Sequence, residues 1–136
     1  MAVRAVRGAT QLDVDEREQM LERVSEMVLD VMASNGLVVD DFISVVFTAT
    51  SDLHSEFPAY AARQIGFGDV PLLCARELEI EGSMPRVVRM LAHVESDLPR
   101  GDVTHVYLHG AAALRKDLTR VRSVPDREPD GEPTDG

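Results

Sequence analysis

The sequence predicts an α/β (α+β) fold, a compact mixed sheet with packed helices. Three observations carry that expectation. Strand-like runs recur at 2–7, 42–50, 70–74 and 103–109, the second rich in β-branched and aromatic residues and the first alternating. Segments whose apolar residues follow the 3.6-residue helical period lie between them. The resulting order, strand–helix–strand–helix–strand–helix–strand, is that of a layered sheet-and-helix domain. At 136 residues, 44% hydrophobic and 28% charged, the chain is long enough to bury one ordinary core.

The first strand is AVRAVR at 2–7, ending at Gly8 and placing Arg7 at the strand's end. Asp13 or Asp15 is positioned to cap a helix whose apolar face is Met20, Leu21, Val24, Met27, Val28, Val31 and Met32. Asn35-Gly36 supplies its stop. FISVVFTAT at 42–50 reads as a buried strand, followed by the polar loop SDLHSEF. Pro58 then opens a short helix through Ile65. After the GFGD turn, a third strand runs from Val70 to Cys74 and resumes through Leu78 and Ile80 until Gly82-Ser83. Ser83 is placed to cap a helix that buries Met84, Val87, Val88 and Leu91, with Pro85 in its first turn and Arg89 on its flank. A fourth strand, Val103–His109, ends at Gly110, with His105, Tyr107 and His109 on one face.

Residues 121–136, VRSVPDREPDGEPTDG, hold three prolines, two glycines and five acids and almost nothing apolar. Such a segment buries too little surface to offset its ordering entropy, so a disordered acidic tail is expected after a domain over 1–120. Net charge is −10, from 14 basic and 24 acidic residues, and Lys116 is the only lysine. No basic run offsets this charge, which argues against nucleic acid or an anionic membrane surface as a partner. No apolar stretch approaches the length of a membrane span, and the N-terminus shows no export signal. One cysteine forms no internal disulfide, which fits a reducing cytoplasm.

Metal chemistry is disfavoured. His54, His93, His105 and His109 are scattered, and Cys74 has no partner at zinc-site spacing. Cys74 is also a poor nucleophile candidate, because it ends an apolar strand beside a carboxylate, without the nearby His or helix N-terminus that activates a thiol. GFGD and HGAAAL match no phosphate-binding fingerprint. What remains is the stretch VPLLCARELEIEGSMPRVVR at 70–89, in which Cys74, Glu77 and Arg89 converge on an apolar scaffold, with Arg7 at a strand end, Tyr107 mid-strand and Arg115 after the apolar run AAAL. A guanidinium and a carboxylate together can stabilise both signs of charge on one small polar ligand.

RGAT at 7–10, TATSDLHSEFPA at 48–59, VPLLCARELEIEG at 70–82, RVVRM at 86–90 and HVYLHGAAALRKDL at 105–118 together resemble the monofunctional chorismate mutases of the trimeric Bacillus type. The resemblance spans residue 3 to about 119, in order and at nearly constant spacing. It implies a cofactor-independent isomerase converting chorismate to prephenate, in the shikimate pathway toward phenylalanine and tyrosine. It also implies a homotrimer built as a pseudo-α/β-barrel, with active sites between subunits. By the same resemblance, Arg89 donates to the ether oxygen of the substrate. Glu77 accepts from the ring hydroxyl, with Cys74 hydrogen-bonding nearby, and Arg7 and Tyr107 hold a carboxylate. Phe57, Ala59, Leu73 and Leu114 line the pocket, and Arg63 and Arg115 assist at its mouth. Arg7, Arg89 and Tyr107 are expected from one subunit and the Phe57 and Cys74–Glu77 wall from its neighbour. Leu73 departs from the family pattern, which favours a small polar residue there. Two glycines usual around 82–83 are reduced to one, and the 66–69 turn is one residue shorter. A non-catalytic module binding aromatic metabolites on the same scaffold is the alternative implied by such a cleft.

Overall fold

The fold was obtained as a computed structural model that describes residues 1–114. The acidic segment 121–136, and Arg115 with it, lies outside the described residues. Five strands, β1 (Ala2–Gln11), β2 (Phe42–Ala49), β3 (Leu72–Arg76), β4 (Val87–Ser96) and β5 (Val106–Tyr107), form one mixed sheet in the order β3-β2-β4-β1-β5. β4 pairs antiparallel with both β1 and β2, while β3 and β5 add in parallel at the edges. Two helices, α1 (Arg17–Asn35) and α2 (Pro58–Gln64), pack against one face.

The core forms between that face and α1. Met20, Val24, Met27, Val28 and Val31 are buried as the helical period predicts, against Val6, Val45, Phe47, Val88, Met90 and Val94 from alternating strand positions. Phe42 and Phe67 meet edge-to-face at 4.9 Å. Gly36 ends α1 with φ of 63°, and the N–H groups of Gly36 and Leu37 both return to the Met32 carbonyl.

Several expectations are corrected. The segment after Gly82 is no helix. Ser83 donates its hydroxyl to the Ile80 carbonyl in a turn, and Val87–Ser96 forms the central strand. Leu91, expected in a helix core, is 38% exposed on the face away from the helices. The element order therefore loses its third helix. β1 runs on to Gln11, so Arg7 sits mid-strand rather than at the end. β3 is Leu72–Arg76, and residues 77–80 do not continue it. The fourth predicted strand shrinks to Val106–Tyr107, and His109 leaves it for a 3-10 turn with φ of 53°, where its Nε2 meets Glu26 at 2.7 Å. Neither Asp13 nor Asp15 caps α1. Its N-cap is Glu16, without a side-chain bond. Asp13 instead pairs with Arg23 at 2.9 Å, and Asp15 accepts the backbone N–H groups of His54 and Ser55.

Candidate active site

One row of paired residues crosses the whole sheet: Tyr107 on β5, Ala9 on β1, Arg89 on β4, Thr48 on β2 and Ala75 on β3. Residues opposite one another in a sheet share a face, so all five lie on the side away from α1. Ala9 is the small residue between Tyr107 and Arg89. Arg7, two residues along β1 on the same face, is a diagonal neighbour of Arg89. Glu77 follows β3 directly, and its N–H donates to the Ala49 carbonyl at 3.0 Å, which ties it to the end of β2.

These backbone constraints bring the carboxylate onto the arginine. Glu77 Oε2 lies 3.1 Å from Arg89 Nε, and the Thr48 hydroxyl donates to the same oxygen. The Arg89–Glu77 contact is an ion pair without hydrogen-bond alignment, so the buried Arg89 Nε has no hydrogen-bond partner among the described residues. The two charges expected from different subunits thus already meet within one chain.

Arg7 borders a cleft of about 530 Å³ on this face with Arg4, His93, Arg100 and His105. Its backbone N–H donates to His105 Nδ1 at 3.0 Å. Tyr107, paired with Ala9, is half-buried on the same face.

Cys74 points the other way. It pairs with Phe47, whose side chain is in the core, and it packs against that core. With Phe57, His54, Pro58 and Arg76 it borders a second cleft, of about 440 Å³, over the carboxyl ends of the parallel strands β2 and β3. Within a single chain the structure therefore separates Cys74 and Phe57 from Arg89 and Glu77. Phe57 is 69% exposed. The loop that carries it is held by α1: Arg17 Nε contacts Glu56 Oε1 at 2.8 Å and its guanidinium stacks over Tyr60. The Phe57 N–H and then the Arg17 guanidinium hold the Glu56 carboxyl below its ordinary value. Burial works to raise the Asp15 carboxyl but is outweighed by the Ser55 side chain and the backbone N–H groups of His54 and Ser55, so it too is lowered.

Of the other residues singled out in the sequence, Ala59 is buried in the core and borders neither cleft. Arg63 is exposed on the last turn of α2, away from both clefts. Leu73 is 61% exposed on the same face as Arg89, and Leu114 is half-buried at the last described position. Thr48 was missed. It lay inside a quoted motif, but only the register of β2 against β4 and β3 shows that it stands between Arg89 and Glu77. Among the described residues no group of three or more His, Cys, Asp or Glu could hold a metal ion, and no helix is long and apolar enough to cross a membrane.

Known proteins share this sequence and fold. The chorismate mutase AroH of Thermus thermophilus is 46% identical over 117 residues, covering 85% of this chain and 96% of its own. The chorismate mutase AroH of Bacillus subtilis is 32% identical over 125 residues, covering 91% and 98%. The solved chorismate mutase from Clostridium thermocellum superposes with a TM-score of 0.79 at 37% identity, over 80% of this chain and 97% of that one. The family pattern of chorismate mutase type I matches residues 3–118, and this chain belongs to that family.

Proposed function

We propose that this protein is a cofactor-independent chorismate mutase, an isomerase that rearranges chorismate to prephenate in aromatic amino-acid biosynthesis. The observation that carries it is the Arg89–Glu77 pair at 3.1 Å, set on one row of the sheet with Tyr107 and beside Arg7. In the rearrangement a C–C bond forms as the ether C–O bond breaks, with no proton or redox step. Negative charge grows on the departing oxygen and positive charge on the ring. Fixed groups help in two ways, by holding the compact reactive conformer and by solvating those charges.

Arg89 supplies a donor to the ether oxygen. Its side chain is 43% exposed and its Nε has no hydrogen-bond partner among the described residues, so no internal hydrogen bond must break before the guanidinium serves the substrate. Glu77 faces the electron-poor ring and accepts from its hydroxyl. Arg7 and Tyr107 hold the side-chain carboxylate, since a guanidinium fork matches a carboxylate bidentately. Phe57 and Leu73 supply apolar walls and Cys74 a polar contact, with Ala59 supporting that wall from the core. Leu114 lines the same pocket, and Arg63 and Arg115 act at its mouth.

The working unit is a homotrimer with active sites between subunits. Its support is the face opposite the helices, where Val3, Leu73 and Leu91 stand exposed beside the charged row. Apolar surface of this kind marks a contact with another chain. A second chain would also bring its Phe57 and Cys74 cleft toward Arg89, joining what one chain keeps apart. Cys74 as a single free thiol is consistent with work in the cytoplasm.

The test is direct. Purified protein should consume chorismate, followed by loss of its absorbance, and Arg89→Ala should nearly abolish turnover while leaving the assembly folded. Absence of any rate above the uncatalysed background would overturn the assignment. Tight binding of phenylalanine or tyrosine without turnover would instead support the non-catalytic module. Sedimentation should give a mass of three chains.

A further inference from the structure

We infer that Thr48 is a positioning residue for this reaction, holding Glu77 so that Arg89 is charge-paired yet keeps a donor free for the substrate. The inference rests on the mutase assignment above and adds to it a residue without contact to the reacting atoms.

Three observations combine. Thr48 is directly opposite Arg89 on β4 and directly beside Ala75 on β3, so its side chain lies between the strand bearing the arginine and the strand leading into the carboxylate. Its hydroxyl donates to Glu77 Oε2, the same oxygen that lies 3.1 Å from Arg89 Nε. That Nε is nevertheless buried with no hydrogen-bond partner among the described residues.

An unconstrained carboxylate beside a guanidinium rotates until the two share an aligned, charge-assisted hydrogen bond, because that bond is about twice as strong as a neutral one. Here it does not. The threonine bond competes for Oε2 and fixes the carboxylate plane, and the Ala49 carbonyl fixes the Glu77 backbone. The charges stay close enough for attraction, while the Nε–H stays uncommitted. A buried donor without an acceptor is costly. An anionic oxygen developing beside it relieves that cost, so the benefit is larger in the transition state than in the ground state. The remaining oxygen of Glu77, Oε1, is left for the ring hydroxyl.

The test is a kinetic cycle on the full chain with chorismate as substrate. Thr48→Val keeps shape and strand propensity but removes the donor. It should lower kcat by about tenfold with KM within about twofold, because the interaction matters in the transition state. Thr48→Ser, which restores a hydroxyl, should recover to within about threefold of the parent. In a Glu77→Ala background, Thr48→Val should cost nothing further, because the threonine then has no carboxylate to hold. Melting curves and sedimentation of each variant separate this from loss of fold. Unchanged kcat in Thr48→Val, or an equal loss with and without Glu77, would overturn the role of Thr48. An inactive parent protein would instead overturn the mutase assignment itself.

Discussion

Asn35 and Thr104, 69 residues apart in sequence, are joined by a pair of reciprocal hydrogen bonds. Asn35 Nδ2 donates to the Thr104 carbonyl at 2.9 Å, and the Thr104 N–H donates to Asn35 Oδ1 at 2.8 Å. The amide also donates to the Val31 carbonyl one turn back in α1. The last residue of the helix thereby fixes the chain two residues before β5, the two-residue strand that places Tyr107 on the catalytic row. So short a strand has few ladder bonds of its own, and the side-chain clasp supplies its register.

Asn35→Ala should therefore do two things. Removing the buried Asn35 amide loses its bonds to Thr104 and Val31, each worth about 0.5–1.5 kcal/mol because the exposed Thr104 groups can turn to water. Chemical denaturation should show that loss as a lower midpoint. Substrate KM should rise as well, since Tyr107 loses its anchor. A variant as stable as the parent would show that solvent replaces the clasp.

Gly8 gives a packing prediction. A Cβ built there would stand 2.9 Å from Met90 Cγ and 3.1 Å from Met27 Cγ, wedged between the sheet and α1. Its φ is ordinary, so the constraint is close approach, not backbone conformation. Gly8→Ala should cost about 1–3 kcal/mol by overpacking, at the low end because methionine is flexible. If Met27→Ala in the same chain recovers part of that loss, the steric cause is confirmed. Additive losses would refute it.

Much of this architecture was legible in the sequence because local rules and tertiary packing agreed there. The α1 stripe from Met20 to Val31, the Gly36 stop and Pro58 at the start of α2 each obey one pattern with no competitor. β4 was illegible for a physical reason. Its buried set, Val88, Met90, Ala92 and Val94, alternates with period two, but Leu91 breaks the polar face of that alternation. Val87, Val88 and Leu91 then mimic a helical stripe, and Ser83-Met84-Pro85 mimics a helix start. Leu91 is apolar on the face where Leu73 and Val3 are also exposed, which a single-chain periodicity does not anticipate. The cap failed similarly. Asp13 and Asp15 have the right chemistry for α1, but Arg23 and the 54–55 backbone outcompete the helix end for them. The Arg89–Glu77 charges could be named from sequence. Their sharing of one oxygen with Thr48 could not, because strand register is not written locally.

The loop that carries Phe57 should respond to acid. Asp15 and Glu56 both hold their protons more weakly in the folded chain than their ordinary values of 3.8 and 4.5. A lowered folded value means the stabilisation is complete above the ordinary value and is lost as pH falls through the folded one. Both groups are half-buried at the surface, where solvent still screens them, so global stability should change little. The local effect is readable by NMR: the His54 and Ser55 amide shifts should titrate below about pH 4, and Asp15→Asn should abolish that titration. Amide shifts that titrate identically in the parent and in Asp15→Asn would show that Asp15 does not control the loop.

Replacing Arg89 by lysine separates charge from geometry. Lys keeps the positive charge, so its attraction to Glu77 should preserve the fold and the midpoint of unfolding. It loses the planar fork whose Nε–H is held buried between β1 and β2. An ammonium on a flexible stem turns its donors toward the Glu77 carboxylate instead, discharging the donor that the departing oxygen needs. Removing one preorganised donor of this kind costs about 10²–10³ in rate, so kcat should fall by that factor with only a small change in KM. Arg89→Lys retaining more than about a tenth of the parent rate would mean that charge alone suffices, and that the arrangement of Arg89, Glu77 and Thr48 is not what accelerates the reaction.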